Sequence, residues 1–267
     1  GFSTDHIGIS LLGRRCGAWL AALLLASAWS FAGWDYGPVS TEDGSGRAVV
    51  LLPIANGAGP VPLVLRYAPS GTEAGLLSGG WSLPLFEARI RQVNERTFVM
   101  DDFMGFSIRF LRERGDPARL RGSGGWRARI LDERVEAESP EGWRMVFWRG
   151  RPERLVSPDG QEFSYANRGR SLLARGTQEI VAEAVVRDGR VEAVQFGETS
   201  VAFDFAKLPV FTLEAGRSVV SALVEMPERV RVDGIPHYQI GLEPSANGEV
   251  RFLVEPRGSP PRTYAWD

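Results

Sequence analysis

The sequence predicts an all-β protein of short antiparallel strands, and three observations carry that expectation. Short runs alternate apolar and polar residues, the period-two signature of half-buried strands, as in Phe106-Ser107-Ile108-Arg109-Phe110. Glycine and proline, 31 and 17 of 267 residues, are spread along the whole chain rather than pooled in one linker. Helical periodicity is scarce: Thr177 to Val186 could form a short helix, but Ile180, Val181, Val185 and Val186 favour a strand. A β-sandwich or a barrel would satisfy the same pattern.

The N-terminus reads differently from the rest. Arg14 and Arg15 precede an uncharged stretch from Gly17 to Ala32 that closes on Ser30-Phe31-Ala32, with Ala26-Ser27-Ala28 as a second small-residue site. A basic start, a short apolar core and small residues at −3 and −1 are what signal peptidase reads, so residues 1–32 are expected to be a signal peptide. The run is shorter than the about 20 strongly apolar residues that span a bilayer comfortably. Cys16 lies before the apolar core, whereas lipidation needs a cysteine after it. Cleavage would leave no cysteine, hence no disulfide framework, thiolate nucleophile or thiolate metal site. The expected location is secreted, periplasmic or at the cell surface, with no stable membrane span. The chain begins with Gly1 rather than methionine, which reads as a fragment or a misplaced start.

Residues 33–46, polar and glycine-rich, read as a flexible lead-in, and 47–267 as a single all-β region. Expected strands include Phe86 to Ile90, Trp126 to Ile130, Arg190 to Phe196, Val201 to Phe205 and Tyr238 to Leu242. Asp188-Gly189 between two apolar runs is a strong hairpin signal, and Asp159-Gly160, Asp233-Gly234 and Asn247-Gly248 are expected to turn the chain in the same way. Arg112 to Gly125, with Gly115, Pro117, Gly122, Gly124 and Gly125 among charges, reads as a long exposed loop.

Three stretches resemble the RHS/YD-repeat proteins of bacteria. Val49 to Ile54, a glycine-rich turn and Val61 to Tyr67 look like the family's entry strands, which end in Leu-x-Tyr. Gly79-Gly80-Trp81-Ser82-Leu83 is similar to a motif shared with toxin-complex B components, although Leu77 or Ser78 stands where its first glycine belongs. Gly150 to Tyr165 resembles a YD repeat, interrupted by Pro152-Glu153 and ending in Ala166-Asn167 instead of Tyr-Asp; Arg262 to Asp267 resembles the close of another. The resemblance implies an extended antiparallel sheet of strand-turn-strand units, each continuing its neighbour's sheet, as part of a β-shell. It also implies partners: the rest of the same chain or a cargo polypeptide. A chain ending at the close of a repeat reads as truncated.

Chemistry is hard to find. His6 and His237 are the two histidines, too few for a multi-histidine metal site. There is no Gly-x-Ser-x-Gly elbow, no phosphate loop and no dinucleotide fingerprint. Asp101-Asp102 is the most conspicuous carboxylate pair, with Glu87, Asp204 or Glu249 as partners for glycoside hydrolysis, but its position between two strand-like runs reads as turn chemistry. Trp81, Trp126, Trp143, Trp148 and Trp266 would bind surface glycans if exposed in a row; each lies in an alternating run or beside a glycine turn, where core packing is expected. A net charge of −2 argues against nucleic acid. Arg89, Arg91, Arg127 and Arg129 read as the solvent-facing half of alternating strands, with an anion-binding stripe as the less favoured alternative. No catalytic, cofactor-binding or metal site is expected. The expected function is a non-enzymatic structural or interaction module. A secreted carbohydrate-binding sandwich is the alternative, and an extracellular hydrolase a weaker one.

Overall fold

The computed structural model describes residues 39–42, 48–56, 61–68, 76–77, 79–214, 217–244, 250–258 and 262–265, all within one compact unit, Tyr36–Asp267. The expected signal peptide, Cys16, His6, Asn247-Gly248, Glu249 and Trp266 lie outside the described residues.

The chain forms two antiparallel sheets. The smaller contains β1 (Val39–Glu42), β2 (Ala48–Asn56), β3 (Pro62–Tyr67) and β4 (Trp81–Ser82) in that order. β1 lies inside the expected lead-in: its pairing with β2, Val39 opposite Leu51, makes that part of the segment a sheet edge rather than a free linker. In β2 and β3 consecutive residues are buried, Val49 through Leu52 and Leu63 through Leu65. Neighbouring strand residues point to opposite faces, so both faces of this sheet are covered, which is why these strands are continuous apolar runs.

After β4, a single helical turn, α1 (Pro84–Glu87), corrects the expected strand from Phe86. Pro84 fixes the first helical position, and the Glu87 carboxylate turns back to accept the Leu83 N–H at 2.5 Å. The strand begins only at β5 (Arg89–Gln92).

From β5 the chain builds a large antiparallel sheet in strict chain order. β6 (Thr97–Asp101), β7 (Ser107–Glu113), β8 (Asp116–Gly122), β9 (Arg127–Leu131), β10 (Arg134–Glu138), β11 (Arg144–Trp148), β12 (Arg151–Val156) and β13 (Glu162–Ala166) each pair with the strand before. β7 and β8 correct the reading of Arg112 to Gly125 as a loop: Gly115 turns a tight hairpin there, and the arginines alternate with inward residues of two paired strands. The sheet continues through β14 (Ser171–Ala174), β15 (Ile180–Arg187), β16 (Arg190–Phe196), β17 (Thr199–Glu214), β18 (Arg217–Val232), β19 (Ile235–Pro244), β20 (Val250–Pro256) and β21 (Arg262–Ala265).

Among the described residues no register joins β21 to β5, and the sheet is not closed into a barrel. It returns on itself where the Ile90 N–H of β5 donates to the Gly150 carbonyl at 3.0 Å in the β11–β12 turn.

The inward face is apolar, with Met100, Phe110, Phe147, Phe163, Val194, Phe196, Val201 and Val230 buried in one continuous core. The smaller sheet and the connection between its β3 and β4 pack there. The Tyr238 hydroxyl donates to the Pro53 carbonyl at 2.6 Å, the Val191 N–H donates to the Leu76 carbonyl at 2.9 Å, and Gly79 lies so close to Met226 that a Cβ would come within 2.8 Å of it. Tyr238→Phe is expected to leave the Pro53 carbonyl buried without that donor and to cost about 1–3 kcal/mol, seen as a lower denaturation midpoint with unchanged slope.

Candidate functional site

Two features of the large sheet could carry function: a row of loops at one end of the strands, and the outward face.

The loops repeat a single design. Asp102–Phe106, Ser139–Trp143 and Ser157–Gln161 each join two strands through five residues. In each, the first residue's N–H donates to the fifth residue's carbonyl, and the glycine at the fourth position donates back to the first residue's carbonyl. The first side chain then accepts the fifth N–H: Asp102 Oδ1 from Phe106 at 2.8 Å, Ser139 Oγ from Trp143 at 3.1 Å, Ser157 Oγ from Gln161 at 3.0 Å. Gly122–Trp126 keeps the first of these main-chain bonds with no side chain in that role. The first positions, 102, 122, 139 and 157, mark an internal repeat of roughly 20 residues, a strand-turn-strand unit. Two residues before each stands a buried inward residue (Met100, Leu120, Ala137, Leu155), and six after it another (Ile108, Ala128, Met145, Phe163).

Asp102 is therefore the turn residue that its neighbourhood in the sequence suggests, but it is only 3% exposed. Burial, opposed by the backbone N–H groups it accepts, pushes its carboxyl up to about 7. The Tyr165 hydroxyl is buried without a hydrogen-bond partner, and burial followed by the charge of Asp102 raises its pKa. Phe103 and Trp143, from two of the loops, pack as a tilted pair with ring centres 4.8 Å apart.

The other carboxylate candidates are held by structural partners. Asp101 accepts from Arg89 at 3.0 Å and from the Ser107 hydroxyl at 2.5 Å. Glu87 accepts the N–H groups of Leu76 at 2.7 Å and Leu83 at 2.5 Å, and burial raises its pKa. Asp204 pairs with Arg231 at 2.6 Å. Burial holds the His237 imidazole below its usual range, with the Arg257 charge adding to the effect. Among the described residues no group of three histidine, cysteine or acidic side chains could hold a metal ion.

Among the described residues the tryptophans form no row. Trp81 and Trp143 are buried, Trp126 is partly so, and Trp148 is 47% exposed beneath the Arg149 guanidinium, 4.8 Å from its ring centre.

Arginine dominates the outward face. Arg119 and Arg121 of β8 stand directly opposite Arg129 and Arg127 of β9, while Leu120 and Ala128 between them turn into the core. β10 sets Glu136 and Glu138 beside Arg129 and Arg127, and β11 and β12 add Arg144 and Arg154. A trough of about 620 Å³ runs over this face, and Val146 and Val156 in its lining are buried although they lie on the outward side.

Sequential antiparallel hairpins with an apolar inside and a charged outside make this an all-β protein. Neither a protein-family model nor a curated protein matches the sequence.

Proposed function

We propose that the protein is a non-enzymatic structural and interaction module, exported from the cell, and that it forms the N-terminal part of an RHS-like β-shell. The reading rests on one observation: each hairpin extends the sheet of the one before, in chain order, around an apolar interior that the chain's own N-terminal sheet occupies. Such a sheet grows by adding units at its edge, as repeat architectures do. The partners are then the rest of the same chain or an enclosed cargo polypeptide. Among the described residues no helix is long and apolar enough to cross a membrane.

Limited trypsin digestion of the protein as its native host makes it tests the proposal, with peptides identified by mass spectrometry. Arginines in β8 to β13 are expected to resist cleavage, and a contiguous or co-purifying polypeptide to stay protected until urea opens the sheet. A protein that encloses no further polypeptide and hydrolyses a glycan would overturn it.

A further inference from the structure

We propose that the outward face of β8 to β12 binds an acidic polysaccharide, a chain with about one carboxylate per sugar and hydroxyl groups between. This inference is independent of the shell reading, since it concerns the opposite face of the sheet.

Like charges placed directly across a strand pair repel, and sheets avoid them. Here two such pairs stand side by side, Arg119 opposite Arg129 and Arg121 opposite Arg127. Arg119 has Asp116 at 3.2 Å, but Arg121, Arg127 and Arg129 make no salt bridge among the described residues. All four are exposed. An anion lying between the two strands would relieve both repulsions at once, and the planar guanidinium fork matches a carboxylate in bidentate geometry. The trough supplies room: its lining runs from Arg119 and Arg121 on β8 to Arg154 on β12, so it crosses the strands and suits an extended ligand. A second trough, of about 500 Å³, shares Glu136, Val146 and Arg154 with the first and carries the path on to Arg175 beyond β13.

The acidic residues choose among polyanions. Glu136 and Glu138 form a negative row immediately beside the arginine block, and Glu162 closes the far side. A nucleic acid strand carries a phosphate at every nucleotide, and duplex DNA a negative charge every ~1.7 Å, so either would set phosphates against that row. A uronate chain also carries one charge per residue, but each ring bears hydroxyl donors between the carboxylates, which a DNA backbone lacks. Its carboxylates can meet Arg121 and Arg127 while the hydroxyls of neighbouring rings donate to Glu136 and Glu138. Arginine supplies only donors and glutamate only acceptors, and an acidic sugar chain offers the complement of both.

The test is equilibrium binding of the full chain to polygalacturonate, with neutral dextran and single-stranded poly-dT as comparators, for the native sequence, Arg121→Gln/Arg127→Gln and Glu136→Gln/Glu138→Gln. Both pairs are exposed, so a melting temperature no lower than that of the native protein will show that each variant folds. Polygalacturonate is expected to bind, and to lose about tenfold in affinity in the arginine variant and again between about 50 and about 200 mM salt. Dextran is expected not to bind, and poly-dT to bind more weakly than polygalacturonate, with that preference shrinking in the glutamate variant. The proposal is overturned by absence of polygalacturonate binding, by binding that the arginine variant leaves unchanged, or by dextran or poly-dT binding at least as tightly.

Discussion

Gly150→Ala is expected to destabilise the protein by about 3–5 kcal/mol, while Gly189→Ala in the same kind of turn costs about 1–2 kcal/mol. Both glycines are second in a two-residue hairpin turn, after Arg149 (φ 48°) and Asp188 (φ 51°), and both adopt left-handed backbone, with φ of 81° and 84°. Two left-handed residues in succession are what the right-handed twist of the flanking strands asks of such a turn. Alanine pays the same conformational cost at either position. The difference lies in what a Cβ would meet. At Gly189 nothing lies within 4 Å, whereas at Gly150 the Ile90 carbonyl oxygen is 2.7 Å away, and it belongs to the backbone. That contact sits beside the hydrogen bond through which the edge of β5 meets the β11–β12 turn. Relieving the clash must move β5 away and lengthen that bond.

For a folded unit of this size each kcal/mol moves the melting temperature by about 2–4 °C, so Gly150→Ala should lower it by roughly 10 °C. Gly189→Ala should lower it by only a few degrees. Calorimetry of the two variants decides the matter: equal losses would mean that the return of the sheet onto β5 contributes nothing to stability.

Strand identity was legible wherever one face meets solvent, because there the period-two pattern is imposed by burial itself. Val194 and Phe196 of β16 turn into the core with the exposed Gln195 between them, and Asp188-Gly189 marks its hairpin as plainly as any dipeptide can. The pattern misled where composition and geometry part. The segment from Arg112 to Gly125 has the glycine and charge content of a loop, yet Leu120 alone turned inward is enough to seat β8 between two neighbours that carry most of the apolar surface. Phe86 sits on a helical turn because Pro84 sets the dihedral angles before strand pairing can.

The loop repeat was visible only in part. Ser157-Pro158-Asp159-Gly160-Gln161 stands inside the stretch that resembles a YD repeat, but its counterparts share just one small first residue and a glycine three positions on. The signal that would have found them is the pair of inward residues two before and six after. Their identities vary from alanine to phenylalanine because each layer of the core must be filled differently. The arginine face was legible as alternation. Its like-charged pairs were not, because they depend on the register between β8 and β9, which no single strand encodes.

Asp102→Asn is expected to stabilise the protein at pH 8 and to leave it nearly unchanged below about pH 4. Ser139 and Ser157 do the same turn-forming work in their loops, so the charge at position 102 is not what the fold needs. An amide oxygen can accept from the Met104 and Phe106 N–H groups, which the carboxylate now accepts at 2.9 and 2.8 Å. Burial raises the Asp102 carboxyl from 3.8 to about 7, so between about pH 4 and 7 the folded chain holds a proton that the unfolded chain releases. Unfolding then sheds protons across that window, and stability falls as pH rises through it, by about 1.4 kcal/mol per unit. Above about pH 7 the full penalty, on the order of 4 kcal/mol, is in place; below about pH 4 it is absent. Asparagine mimics the protonated acid at every pH, so the variant should melt some 10 °C higher than the native protein at pH 8, with the difference shrinking steadily below pH 7 and vanishing only below about pH 4. Glu87, whose carboxyl burial raises in the same direction, remains in both proteins and leaves a slope that they share. Melting curves at several pH values for the two proteins separate these contributions. If Asp102→Asn is less stable than the native chain at pH 8, the buried carboxylate is worth more to the Asp102–Phe106 loop as an acceptor than it costs as a charge.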